Sequence, residues 1–278
     1  MTTTVTPAIA LTIAGSDPSG GAGIQADLKT FAAFGVYGAS VITALTAQNT
    51  RGVTGVHAVP VDVIAQQFEA VLGDLKVAAM KTGMLGDVET VRSVARLLSR
   101  YDHIPSVIDP VMVATSGDVL LNPAAIGAVR TELIPRALVI TPNIYEAAML
   151  LETAPAVTVD EMRAQALVLL NFGCQSVLLK GGHGEGADAI DVLVTRSGVR
   201  SFARPRIATR NTHGTGCTLS AAIAAGLAEG HTLGDAVETA KAYVWSALQS
   251  AIHYHIGDGS GPVDHAFACR ERKPPKTS

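Results

Sequence analysis

Short apolar runs of strand length alternate with longer stretches of helical period along most of this chain, and that alternation limits the fold more than any other feature. Ile9-Ala-Leu-Thr-Ile-Ala14 reads as a strand, and the helical stretch from Ala22 to Phe34 is stopped by Gly35. Val41-Ile-Thr-Ala-Leu45 is the next strand, Val61 to Leu72 a helix, Ala78-Ala-Met-Lys-Thr82 a strand and Val88 to Leu98 a helix. In that last helix the apolar positions 88, 91, 94, 95 and 98 fall three or four apart, the spacing of one buried face. Val107-Ile108 and Leu138-Val-Ile140 are brief strands. Thr158-Val-Asp-Glu161 is a capping box, in which each side chain satisfies a free amide of the other residue, and it opens a helix to about Phe172. Ser176-Val-Leu-Leu179 returns to the sheet, and Asp191 to Val194 with Val199 to Ala203, split by Ser197-Gly198, predicts an antiparallel hairpin. Two helices, Gly216 to Glu229 and Asp235 to about Ala251, close the pattern. Strands that are apolar throughout need cover on both faces. The pattern therefore predicts an α/β fold with a mostly parallel sheet between helical layers, and ligands beyond the carboxyl ends of the strands.

With 278 residues, 48% of them hydrophobic and 16% charged, the chain can bury a large core, which excludes a disordered chain, a collagen-like fibre or a disulfide-stapled miniprotein. No linker composition or repeat marks a boundary, so residues 8–267 read as one domain and 268–278 as a flexible basic tail. A net charge of −3 and a pI near 6.2 supply no global field to collect nucleic acid, and no nucleic-acid partner is expected. The mean hydropathy of +0.32 comes from short pieces such as Ala221 to Ala228, too short to span a membrane. The segment Met1 to Pro7 has neither the basic start nor the apolar stretch of a secretory signal, so the expected compartment is the cytoplasm. Cys174, Cys217 and Cys269 fit neither a disulfide framework nor a metal clamp and are expected as reduced thiols.

Chemistry is expected in the turns that follow the strands. Gly15-Ser-Asp-Pro-Ser-Gly-Gly-Ala-Gly-Ile-Gln-Ala-Asp27 is a glycine-dense turn running into a helix, where absent side chains let a ligand approach the backbone. It lacks the Gly-Lys-Ser/Thr of a phosphate-binding Walker loop, and a plain structural turn is the competing reading. Asn211-Thr-His-Gly-Thr-Gly-Cys217 is more specific: Gly214 and Gly216 let amide hydrogens converge at the positive end of the following helix, an anion hole suited to phosphoryl transfer. Cys217 falls in the first helical turn, where the same field favours thiolate; its other reading is a small buried packing residue. His213 is expected to be satisfied by backbone carbonyls. Asp109, Glu146 and Lys180 stand at strand ends on one rim, the carboxylates offering oxygens for Mg²⁺ and the lysine a point charge for phosphates. Singly each has a plainer role: a turn cap, a helix start and a solvated cation. No His/Cys cluster suggests zinc and no GxSxG elbow suggests a serine hydrolase.

These residues carry a resemblance. Ala14-Gly-Ser-Asp-Pro-Ser-Gly-Gly-Ala-Gly-Ile-Gln-Ala-Asp-Leu-Lys29, Thr43-Ala-Leu-Thr-Ala-Gln-Asn-Thr50, Lys81-Thr-Gly-Met-Leu-Gly86, Asp109-Pro-Val-Met112, Thr141-Pro-Asn143, Lys180-Gly-Gly-His183 and Asn211 to Cys217 occur in order through nearly the whole chain. It resembles the hydroxymethylpyrimidine/phosphomethylpyrimidine kinases of thiamine biosynthesis, in the ribokinase-like superfamily. The resemblance implies a three-layer α/β/α sandwich with a mostly parallel central sheet, usually as a homodimer. It implies an enzyme that phosphorylates 4-amino-5-hydroxymethyl-2-methylpyrimidine, then its monophosphate, using ATP and Mg²⁺. By position it puts the pyrimidine among Gly15, Ala22, Asp27, Gln48, Met84 and Val111, with Cys217 beside the reacting hydroxymethyl group. Gln48 suits an aminopyrimidine edge because its amide both donates and accepts. Asp109 and Glu146 are implied on the metal, and Asn143, Lys180 and Gly182 on ATP. Gly214, Thr215, Gly216 and Cys217, with Lys180, form the implied catalytic set. Sugar kinases of this fold end the last motif with Asp as base, whereas this chain has the softer Cys217.

A pyridoxal kinase shares the fold and the Gly-Cys ending, and Gln48-Asn49 favours the pyrimidine over it. A nicotinamide-dependent oxidoreductase would need a complete dinucleotide fingerprint and an acidic residue at the end of the second strand, where Thr46-Ala-Gln48 stands instead. A non-catalytic sensor of the same fold would bind the pyrimidine without consuming ATP.

Overall fold

The structure, a computed structural model, describes residues 6–114, 117, 118, 120–182 and 186–270. Residues 1–5, His183 of the Lys180 segment and 271–278 of the expected tail lie outside the described residues. The strands are β1 (Ile9–Ser16), β2 (Tyr37–Asn49), β3 (Gly52–Ala58), β4 (Ala79–Thr82), β5 (Ser106–Ile108), β6 (Val139–Ile140), β7 (Ser176–Leu179), β8 (Asp188–Thr195) and β9 (Gly198–Pro205). They form a nine-stranded sheet in the order β3-β2-β1-β4-β5-β6-β7-β8-β9. From β2 to β7 the neighbours run parallel; β3 at one edge and β8 and β9 at the other are antiparallel.

Because successive side chains of a strand point to opposite faces, each strand feeds two cores. Ile9, Leu11, Ile13, Ile108, Ile140 and Leu179 face one core, together with α2 (Val61–Leu72), α3 (Val88–Ser99), α5 (Ile144–Leu151) and α6 (Val159–Leu170). Ala10, Val107, Val139 and Leu178 face the other, against α1 (Gly23–Ala33), α7 (Thr215–Ala228) and α8 (Leu233–Ala251). The chain is thus a helix–sheet–helix sandwich, as the βα rhythm predicts.

The capping box at α6 forms as read: Thr158 Oγ1 accepts from Glu161 N, and Glu161 Oε2 accepts from Thr158 N. Two regions depart from the sequence reading. Strand β2 runs from Tyr37 to Asn49 rather than over Val41 to Leu45, and pairs with the unforeseen β3 as an antiparallel flap. Residues 123–136 wind as short 3₁₀ turns around α4 (Ile126–Ala128) and a π turn; Pro123 opens the stretch at a first-turn position that tolerates it, and Pro135 lacks the amide that would continue the helical ladder. A helical turn, α9 (Phe267–Arg270), bridges the end of the expected domain and the first residues of the expected tail.

Candidate active site

A cavity of about 700 Å³ opens beyond the carboxyl ends of the parallel strands. Asp109 follows β5, Asn143 follows β6 and Lys180 follows β7, so the sheet itself delivers all three to one rim. Lys180 Nζ donates to Asp109 Oδ1 at 2.8 Å and lies 3.9 Å from Glu146 Oε2. Thr141 Oγ1 and Ser220 Oγ also donate to Asp109. Burial opposes the charge on Asp109, yet Lys180 and Lys81 outweigh it and hold the carboxyl below its usual value. Glu146 fares differently. Burial pushes it up to about 7 against the pull of Lys180, and the neighbouring Asp109 adds to the rise. It also completes a second capping box, accepting from Asn143 N while Asn143 Oδ1 accepts from Glu146 N, which fixes the start of α5.

The mouth of α7 faces this charge cluster. Its N-cap, Gly214, has φ +79°, a left-handed conformation that glycine adopts freely, and a Cβ there would meet the Gly21 carbonyl oxygen at 1.8 Å. No side chain caps the helix; Thr215 N turns back to the Thr212 carbonyl, which leaves the amide hydrogens of Gly216 and Cys217 to face a ligand. A Cβ on Gly216 would lie 3.2 Å from Lys180 Nζ, which measures how closely the helix mouth approaches the lysine.

The glycine turn forms the opposite wall. Asp17 organises it: the carboxylate accepts from Ser19 N, Ser19 Oγ, Ala22 N and His213 Nε2. Burial works against that carboxylate, but these hydrogen bonds, led by His213, bring it down to about 2. His213 therefore meets a carboxylate, not the backbone carbonyls expected for it.

Gly15, Ala22, Gln48, Met84 and Val111 line the cavity, as do Asp109, Asn143, Glu146, Lys180, Gly182 and the run Gly214, Thr215, Gly216 and Cys217. Asp27 does not. It is fully buried beneath the site, paired with Lys81 at 2.8 Å and accepting from Thr12 Oγ1 at 2.6 Å. Burial disfavours the Lys81 ammonium, but Asp27, with Cys217 and Asp109, more than compensates and keeps it protonated. The sequence reading passed over Lys81, although a charged residue inside an all-apolar strand implies a buried counter-charge.

Cys217 is also corrected. It lies in the first turn of α7, partly exposed to the cavity, with Gly23 N–H donating to its sulfur. Desolvation nevertheless pushes the thiol up to about 11, against the pull of Lys81 and with Asp27 and Asp109 adding to the rise. At neutral pH it is a thiol, because loss of hydration outweighs the helix field.

The far end of the cavity went unseen in the sequence. Asp191 on β8 accepts from Gly181 N at 2.9 Å and from Lys241 Nζ of α8 at 2.7 Å, and Arg206 Nη1 donates to the Gly182 carbonyl at 2.6 Å. These bonds hold the turn after Lys180. Trp245 and Leu248 of α8 line the wall beyond.

Phosphoryl transfer asks a protein mainly for positioning and fixed charge, and this cleft supplies both on a parallel sheet, which places the chain among the ribokinase-like kinases. Within that class the chain belongs to the phosphomethylpyrimidine kinase family, whose model matches residues 17–264. The hydroxymethylpyrimidine/phosphomethylpyrimidine kinase of Rhizobium meliloti (strain 1021) is 54% identical over 258 residues, 93% of this chain and 97% of the relative. The crystal structure of phosphomethylpyrimidine kinase from Clostridium difficile 630 shares a TM-score of 0.77 at 43% identity, covering 86% of this chain and 99% of that one. The ADP complex of Bacillus subtilis pyridoxal kinase matches at a TM-score of 0.88 and 36% identity, covering 95% and 99%. The chain is therefore an enzyme, a kinase whose family implies ATP as phosphate donor. The oxidoreductase and sensor readings fall with that result.

Proposed function

We propose that this enzyme transfers the γ-phosphoryl group of ATP to the hydroxymethyl oxygen of 4-amino-5-hydroxymethyl-2-methylpyrimidine, and then a second phosphoryl group to the monophosphate, forming the diphosphate. The observation that carries the proposal is the convergence of Lys180, Asp109 and Glu146 on the mouth of α7, in the same cavity as Gln48 and Met84. The ring lies against Gly15, Ala22, Met84 and Val111, with its amino edge on Gln48. Asp27 supports this wall from beneath through Lys81. The acceptor oxygen attacks the γ-phosphorus and gives up its proton to an oxygen of the transferred group and thence to water, the bond to the β–γ bridging oxygen breaks, and ADP departs. Amides of Gly214, Gly216 and Cys217 hold the migrating group while Lys180 offsets its charge, and Thr215, its own amide tied to the Thr212 carbonyl, shapes the turn between them. Asn143 and Gly182 bracket the nucleotide phosphates, and the Trp245 end of the cavity receives the base. As a neutral thiol, Cys217 aligns the hydroxymethyl group and does not ionise it.

Magnesium fits this donor set. Glu146 is 4% exposed and its raised pKa marks a buried carboxylate short of positive charge. Among the described residues no group of three or more His, Cys, Asp or Glu gathers, so Asp109 and Glu146 would hold the ion with phosphate and water oxygens completing its shell. An ion held by Asp109 and Glu146 would supply positive charge against the nucleotide phosphates. The reading carries with it residues 8–267 as one catalytic unit and a cytoplasmic homodimer. Among the described residues no helix is long and apolar enough to cross a membrane.

The deciding experiment is a coupled ADP-release assay with the pyrimidine and with pyridoxal as alternative acceptors. Turnover on the pyrimidine, with its KM raised roughly 5- to 150-fold by Gln48→Ala, is the expected result, since a stranded buried polar group costs ~1–3 kcal/mol. ADP release on pyridoxal alone overturns the proposal.

A further inference from the structure

The glycine turn after β1 and the turn that opens α7 lie 196 residues apart, yet a buried hydrogen bond joins them, His213 Nε2 to Asp17 Oδ2 at 2.8 Å, beside the weaker donation from Gly23 N–H to the Cys217 sulfur. Both ends of this link are rigid. Asp17 takes three further donors from Ser19 and Ala22 at 2.7 to 2.9 Å, so its carboxylate cannot move without the turn that precedes α1. His213 N donates to the Gly261 carbonyl at 3.0 Å, and the residue is only 6% exposed. The two turns touch over Gly21. A Cβ built on Gly21 would meet His213 Cδ2 at 2.2 Å, and one on Gly214 would meet the Gly21 oxygen at 1.8 Å. Backbone meets backbone where Gly214 approaches Gly21, the His213 ring and Pro262 close over the other side of Gly21, and of these side chains His213 makes the hydrogen bond that pins the contact.

We propose that His213 is a positioning residue: through Asp17 it sets the distance between the wall that holds the acceptor and the helix mouth that receives the transferred phosphoryl group. This rests on the function proposed above. Each turn also keeps bonds of its own, Gly20 N to Asp17 O on one side and Thr215 N to Thr212 O on the other, so both survive when the link is cut. What is lost is their register. Transfer depends steeply on register, because a misplacement of about 1 Å can cost on the order of 10²-fold in rate. Nucleotide affinity depends on it little, since Lys180, Asp191 and Arg206 belong to other elements.

The test compares wild type with His213→Leu, His213→Asn and His213→Gln, using whichever acceptor the wild type phosphorylates. Steady-state kinetics, ADP binding by calorimetry and thermal unfolding are measured together. Gln can present its Nε2 to Asp17, whereas Asn is too short and Leu has no donor. The expected result is a kcat about 10²-fold lower for Leu and Asn, ADP affinity within about threefold of wild type, and recovery of most turnover by Gln. If the Leu variant does not fold, the Asn variant decides. Wild-type kcat in Asn, or a loss that Gln does not recover, overturns the inference. A wild type that phosphorylates pyridoxal and not the pyrimidine overturns the functional proposal instead and leaves this comparison intact.

Discussion

Lys180 and Asp109 are paired at 2.8 Å against the first turn of α7, where a Cβ on Gly216 would lie 3.2 Å from the one and 3.8 Å from the other. The lysine offsets the carboxylate at rest and, in the function proposed above, would offset phosphate oxygens during transfer. Lys180→Met should lower kcat by roughly 10²- to 10³-fold, the loss typical of removing one stabilising group from a transition state. ADP-release kinetics at saturating substrate check this; a change in KM alone would contradict it.

The pair Lys81–Asp27 has both side chains fully buried. Removing one partner leaves a bare charge in the core, so Lys81→Met or Asp27→Leu should each destabilise the fold by about 3–5 kcal/mol, and the double replacement should recover much of that loss. Urea unfolding of the three variants gives the comparison. Simple additivity in the double variant would show that the two side chains act independently.

His265 seats α7 from outside the cavity. Thr218 Oγ1 lies 2.8 Å from the Gly214 carbonyl and 2.9 Å from His265 Nε2; the hydroxyl proton serves the carbonyl, so the imidazole donates to the hydroxyl. Burial, aided by Lys29, lowers the imidazole from 6.5 to about 4. The unfolded chain therefore takes up this proton first. Stability from this group is complete above pH 6.5 and is lost as pH falls toward 4, by about 3 kcal/mol at most. Thermal unfolding between pH 7.5 and 4.5 should show the decline, and His265→Gln should flatten it.

Cys217 should alkylate slowly at neutral pH. With its thiol at about 11, the iodoacetamide rate, followed by peptide mass spectrometry in a Cys269→Ser background, should still be climbing at pH 9. A plateau below pH 8 would restore the thiolate.

The sequence discloses what local chemistry decides. The Thr158–Glu161 box, the α3 stripe and the strand ends bearing Asp109, Asn143 and Lys180 depend on near neighbours and on the topology of a parallel sheet, and the structure has them where the residues imply. The β3 flap was not legible because Gly52 and Gly55 interrupt its alternation and much of it is exposed. Asp27 was misplaced because its partner, Lys81, stands 54 residues away, and an isolated carboxylate near a binding loop gives no sign of a buried cation below it. The charge state of Cys217 turned on a contest between helix field and desolvation, and only burial in three dimensions sets the second.

The bond from His213 N to Gly261 O, with Asn211 anchored to the carbonyls of Ala251 and Tyr254, makes the α7 mouth depend on chain far beyond the sheet. A nascent polypeptide leaving the ribosome has β1 to β9 in hand by Pro205 and still lacks the helix mouth. The helix mouth is complete only when the segment through Gly261 has been synthesised and has folded back, so truncations between Ala251 and Gly261, which keep α7 and α8 over the sheet, should yield a folded sandwich with little turnover.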